Sequence, residues 1–295
     1  MSLPTAVADH YRAQQRLVVA TSALVAAAWG RMDFEDVDGS WAAVAPTIAT
    51  VVSSGQLGAA RNGARYVPTA LDEQGLPTRT LGRVSPSAFA GVASNGGSLM
   101  DLLSIAPAKV KQAQSLDAGG AWLDMVAHTS VQDAARGAAG VSIASTVGAG
   151  WVRMVNPPCC QRCAVLAGKF FRFNRGFDRH PRCDCTHIPT AEANANDVGI
   201  LIGAEDIKDL TGKQRQAITD GADVNQVINA HRKGARSKNG MTTSEGATRR
   251  GVAGKRLGAG RKQRARRLTP EGIYRQAGED RAEAVRLLRA HGYII

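Results

Sequence analysis

The chain has 295 residues, 44% of them hydrophobic, enough for one good core or two modest ones. Aromatics make up only 5% while glycine numbers 32, which points to helices packed through small side chains. The net charge of +12 is concentrated: residues 232–267 hold thirteen basic residues and one acid, Glu245, leaving 24 basic and 24 acidic residues elsewhere. A localised basic run suggests a polyanion partner, the competing reading being a solvated basic linker. The longest apolar stretch, 17–29, is interrupted by Thr21 and Ser22 and is shorter than the ~20 residues a membrane span needs. Asp9, His10 and Gln14 mix with Arg12 and Arg16 upstream, so no targeting segment is expected.

Residues 6–32 are rich in Ala, Leu and Val without proline and predict a helix ending near Gly30. A second helix is expected over 40–65, with Pro46 marking a kink or a true start near Ala45. Pro68, Gly75, Pro77, Pro86 and Gly96-Gly97 mark a looser stretch, followed by a short helix at 99–105. Residues 131–145 read as a helix capped by Ser130, with Asp133 completing the cap. Gly148-Ala-Gly150 breaks it, and 151–155 alternates like a strand. Residues 169–173 form the second arm of a hairpin. Two short helices joined at Gly221 follow in 210–231. The many glycines of 233–267 oppose a packed core and predict flexibility. Thr269-Pro270-Glu271 is a strong helix start, and a last helix over 281–289 stops at Gly292. Leu287, Leu288, Ile294 and Ile295 imply docking, against the chain's own core or a neighbouring subunit.

The fold class expected is mainly α with a small β-hairpin module. The domains expected are a helical part (1–147), a Cys/His hairpin module with its following helices (148–232), a basic flexible segment (233–267) and a helical tail (268–295).

All five cysteines fall within one short stretch: Cys159, Cys160, Cys163, Cys183 and Cys185, with His180 and His187 beside them. Paired ligands on either side of a hairpin-length loop suit a tetrahedral zinc ion, each pair wrapping one side of it. Cys160, Cys163 and Cys183 with His180 or Cys185 would close four positions, and His187 competes as the fourth. Closure leaves no room for a reactive water, so the site would be structural. Disulfides, unligated thiols and a catalytic Cys/His pair are the competing readings.

The string Cys160-x2-Cys163-x2-Leu166-x-Gly168-Lys169, then Phe177-x2-His180-Pro181-x-Cys183-Asp184-Cys185, resembles the signature of Mu-F-like phage minor head proteins. Asp184 departs from it, many members carrying Arg there. Segments 221–229, 240–246 and 268–274 resemble the minor capsid proteins of actinobacterial phages. The resemblance implies a virion head component of few copies near the portal, made in the host cytoplasm, whose partners are portal, capsid and scaffold proteins. It implies a role in head assembly or DNA entry.

For DNA, the candidate contacts are Arg249, Arg250, Lys255, Arg256, Arg261, Lys262, Arg264, Arg266 and Arg267. They would meet phosphates without reading sequence, and no aromatic interleaves them to stack on bases. The rival functions are a capsid maturation protease and a zinc-hairpin DNA-binding regulator. The sequence has no Gly-x-Ser-x-Gly elbow, His-Glu-x-x-His or Walker loop, and His128 beside Ser130 does not make a triad. An enzyme is therefore not the expected reading.

Overall fold

A computed structural model describes residues 3–198, 202–259 and 266–294. The chain divides into two compact units: unit 1 is Met1–Met154 with Gly168–Gly199, and unit 2 is Val155–Ala167 with Ile200–Ile295. The fold is mainly helical with a small antiparallel sheet, as the sequence implies.

Unit 1 is built on three long helices, α1 (Thr5–Trp29), α2 (Val37–Asp72) and α5 (Leu116–Ser145), with short α3 (Leu99–Leu103) and α4 (Ala106–Ala113) between the last two. One end of their core holds Trp29, Ile48, Val52, Leu99, Leu103, Val110 and Leu123. The other holds Val18, Ala59, Ala60, Val131, Ala134, Ala135 and Ala138. This second cluster is nearly all small residues, so the backbones approach closely. A Cβ on Gly63 would meet the carbonyl oxygen of Ala135 at 2.3 Å.

Two helix boundaries differ from the sequence reading. Helix α2 begins at Val37, capped by Asp36, and runs through both Pro46 and Pro68. Pro46 cannot donate to Ala42, but both residues lie on the exposed side, where water satisfies the freed carbonyl. Val44, Ile48 and Val52 on the opposite side are buried, and the helix continues through the break. Helix α5 begins at Leu116, capped by Ser115, so Ser130 is a buried mid-helix residue and not a cap. Gly119-Gly120, which disfavours helix locally, makes room for Trp29: a Cβ on Gly119 would lie 2.5 Å from the indole.

The sheet of unit 1 has the order β2-β1-β3: β1 (Gly150–Met154) is central and antiparallel to both β2 (Phe170–Arg172) and β3 (Thr186–Thr190). Trp151 pairs with Phe171 on one side and Pro189 on the other, and Arg153 pairs with His187. No described helix is long and apolar enough to cross a membrane.

Unit 2 contains α6 (Gln161–Ala164), α7 (Gly212–Thr219), α8 (Val224–Asn229), α9 (Val252–Arg256), α10 (Pro270–Ala277), α11 (Arg281–Ala290) and the two-residue strands β4 (Thr242–Thr243) and β5 (Arg267–Leu268). Thr269 caps α10 as its sequence predicts. Leu287 and Leu288 dock into the unit's own core with Val227, Ile273, Tyr274 and Tyr293, and Ile294 packs against it. Ile295 lies outside the described residues.

The described part of 233–267 is not a loose linker. It carries β4 and α9 and buries Ala247 and Ala253. Its glycines serve tight turns: Gly240, Gly246 and Gly258 have positive φ, and the Gly254 amide donates to the Gly246 carbonyl at 3.0 Å.

Candidate metal centre

Cys160 caps α6, and its Sγ accepts from the Cys163 amide at 3.4 Å. That one short turn sets the spacing of the pair. The preceding Cys159 is used differently: its backbone bonds Asp206 and Lys208 in a parallel bridge at Ile207. All five cysteines are free of disulfides.

The second group of donors lies in the turn before β3. Cys183 and Cys185 are 2% and 1% exposed. Contacts within unit 1 fasten this turn to α1 and α5. The Tyr11 hydroxyl donates to Asp184 at 3.0 Å. The Arg182 amide donates to Thr129 Oγ1 at 3.1 Å, and its guanidinium pairs with Asp124 at 2.7 Å. Asp133 pairs with Arg179, and also with Arg136 at 3.0 Å. Arg136 in turn donates to the carbonyls of Cys183 and Cys185. Arg182 has φ +57°, a left-handed residue that reverses the chain between His180 and Cys183. Asp184 thus serves as an anchor to α1.

His180 is half-buried, with Nδ1 2.8 Å from the Pro181 carbonyl. A carbonyl can only accept, so Nδ1 is the donor in that contact. His187 has another role. Its ring is 2% exposed on β3, edge-on to Trp151 at 4.4 Å and beside Phe177 at 4.6 Å. Burial, with Arg136 nearby, holds its pKa well below the usual histidine value, so it is neutral. Among the described residues, the Cys/His cluster Cys160, Cys163, His180, Cys183 and Cys185 could hold a metal ion; His187 and Cys159 are not part of it. The sequence left His187 open as a ligand; packing removes it.

The expected DNA contacts divide. Arg249, Arg250, Lys255 and Arg266 are exposed. The ion pairs of unit 2 among the described residues, His231–Glu271, Arg281–Asp220 and Arg286–Glu283, include none of them. Arg256 is exposed but donates to the Arg289 and Ile294 carbonyls, both at 2.6 Å, tying down the end of α11. Arg267 is wholly buried and cannot meet a phosphate. Its placement in the basic run masked its role as a core residue. Arg261, Lys262 and Arg264 lie outside the described residues.

Sequence reading missed Arg136 and Arg153. The available signal was their isolation: Arg136 is the one cation of α5, and Arg153 interrupts an otherwise apolar strand. His128, on α5, has its pKa lowered mainly by burial, as suits a structural residue.

No protein-family model, curated protein or solved structure matches the chain.

Proposed function

We propose that the protein is a minor head component of the Mu-F-like phage type, a structural assembly factor acting beside the portal. The observation carrying this reading is the Cys160/Cys163, His180, Cys183/Cys185 donor set, in the order of the Mu-F-like signature. Zinc is the ion this soft, thiolate-rich set suits, and a four-coordinate closed site would act as a staple. Cys160, Cys163 and Cys183 supply three ligands and either His180 or Cys185 the fourth. The anchoring of the Cys183–Cys185 turn to two long helices supports a rigid, non-catalytic role.

Four exposed cations of the basic run, Arg249, Arg250, Lys255 and Arg266, favour a second element of the reading, non-specific contact with packaged DNA. The described part of their segment offers no aromatic to stack on bases, and α9 is only five residues long, too short to lie along a groove and read it. The test is cryo-electron microscopy of proheads and mature heads. Density for the chain near the portal, with a peak among the thiols, supports the proposal; absence of the chain from both particles overturns it. Incubation with scaffold and capsid protein separates the protease alternative: cleavage abolished by one Ser, Cys or His substitution favours the enzyme.

A further inference from the structure

We propose that Arg153 and Arg136 are positioning residues for the metal centre, an inference that rests on the metal reading above. Arg153 sits in β1 and is 1% exposed, an unfavourable place for a cation unless its donors are used. Nη1 donates to the Asp178 carbonyl at 2.6 Å. Nη2 donates to Cys183 Sγ at 3.7 Å. The Phe177 ring covers the guanidinium at 4.2 Å. Cys183 therefore meets a hydrogen-bond donor and a positive charge at its sulfur. The contact fixes where that sulfur lies and would offset the charge it brings to a bound ion.

Arg136 acts on the backbone. Nε donates to the Cys185 carbonyl at 2.8 Å and Nη2 to the Cys183 carbonyl, while Nη1 is held by Asp133 at 3.0 Å. One planar fork thus spans the carbonyls of the two cysteines on either side of Asp184 and holds their backbone spacing. Lysine, a point charge on a flexible stem, cannot reproduce it. A divalent ion with three or four thiolates leaves the centre with net negative charge. Two buried guanidiniums offset that charge where water is excluded.

The test compares the full chain with Arg153→Met, Arg153→Lys and Arg136→Lys. Zinc affinity is measured by competition with a chromogenic chelator, and sulfur-to-metal absorption is recorded after cobalt(II) loading. Arg153→Met should weaken zinc binding about 10–100-fold, the usual loss when an outer partner of a ligand is removed. It should also shift the charge-transfer band, because one ligand sulfur loses its donor. Arg153→Lys restores charge without the Asp178 bond and should fall between. Arg136→Lys should weaken binding roughly 10-fold by loosening the turn. A folded Arg153→Met with unchanged affinity and an unmoved band overturns this inference and leaves the centre standing. If Arg153→Met does not fold, Arg153→Lys decides by the same two readouts. No uptake of zinc or cobalt by the unaltered chain removes the centre itself, and this inference with it.

Discussion

The guanidinium of Arg267 lies over the ring of Tyr293, 4.0 Å from its centre, inside the core of unit 2. Its donors reach the His291 carbonyl at 2.9 Å, the Glu245 carbonyl at 3.1 Å, the Gln226 side chain at 3.1 Å and the Gly292 carbonyl at 3.3 Å. One side chain thus ties the basic segment to the end of the chain. Arg267→Ala leaves these acceptors buried without a donor and should cost roughly 3 kcal/mol. Arg249→Ala, at an exposed and unpaired site, should stay within about 0.5 kcal/mol. Urea unfolding of both variants checks this; equal midpoints would refute the division of the basic residues.

The ligand assignment makes a sharper claim. The chain should carry about one zinc in native mass measurements, since one closed set holds one ion. Cys160→Ser and Cys183→Ser should lose the metal and lower the melting temperature, because binding free energy is part of folding free energy. His187→Phe, which keeps a ring against Trp151, should retain it. Metal loss in His187→Phe with retention in Cys183→Ser would reverse the assignment.

Local chemistry was enough to read much of this architecture. Thr269-Pro270 announced α10, the alternation after Gly148 announced β1, and the cysteine spacing announced a Cys/His cluster that could hold a metal ion. What failed depended on distant partners. Pro46 reads as a break unless Ile48 and Val52 are known to be buried. Gly119 reads as a helix breaker unless Trp29 is known to lie against it. Arg267 looks like twelve other basic residues until Tyr293 is placed beneath it. His180 and His187 are alike in sequence, and only the packing of His187 against Trp151 and Phe177 marks it as a core residue.

His10 predicts an acid-sensitive helical unit. It is buried against Tyr66, with ring centres 3.8 Å apart, and burial lowers its pKa from 6.5 to about 4. Between those values the unfolded chain binds the proton and the folded chain does not. Stability from this group is therefore complete above pH 6.5 and falls as the pH drops toward 4. The full loss is on the order of 3 kcal/mol. His10→Phe should flatten the pH dependence relative to the unaltered chain when urea unfolding is followed across this range. Parallel curves would show that other groups carry it.

Gly63 tests the close approach of α2 and α5. The added methyl of Gly63→Ala meets the Ala135 carbonyl oxygen, a backbone atom that cannot rotate away. A loss of about 1–3 kcal/mol is expected, despite alanine's better helix propensity. A gain in stability would mean that the helices separate at little cost.

The proposed polyanion surface is best tested by point substitutions. Deleting 233–267 would remove Arg267, β4 and the buried Ala247 and Ala253, so unit 2 would lose buried structure together with its charge. Replacing Arg249, Arg250 and Lys255 with Ala leaves that core intact. Each cation that neutralises a phosphate contributes about −0.9 to the slope of log affinity against log salt. The triple variant should therefore bind duplex DNA more weakly at low salt, with a slope shallower by about 2 to 3 units. A control replacing the exposed Arg61, Arg79 and Arg83 of unit 1 changes net charge equally and should leave the slope unchanged. Equal effects from both triples would reduce the interaction to bulk charge. An unchanged slope in the first would move the DNA surface away from this segment.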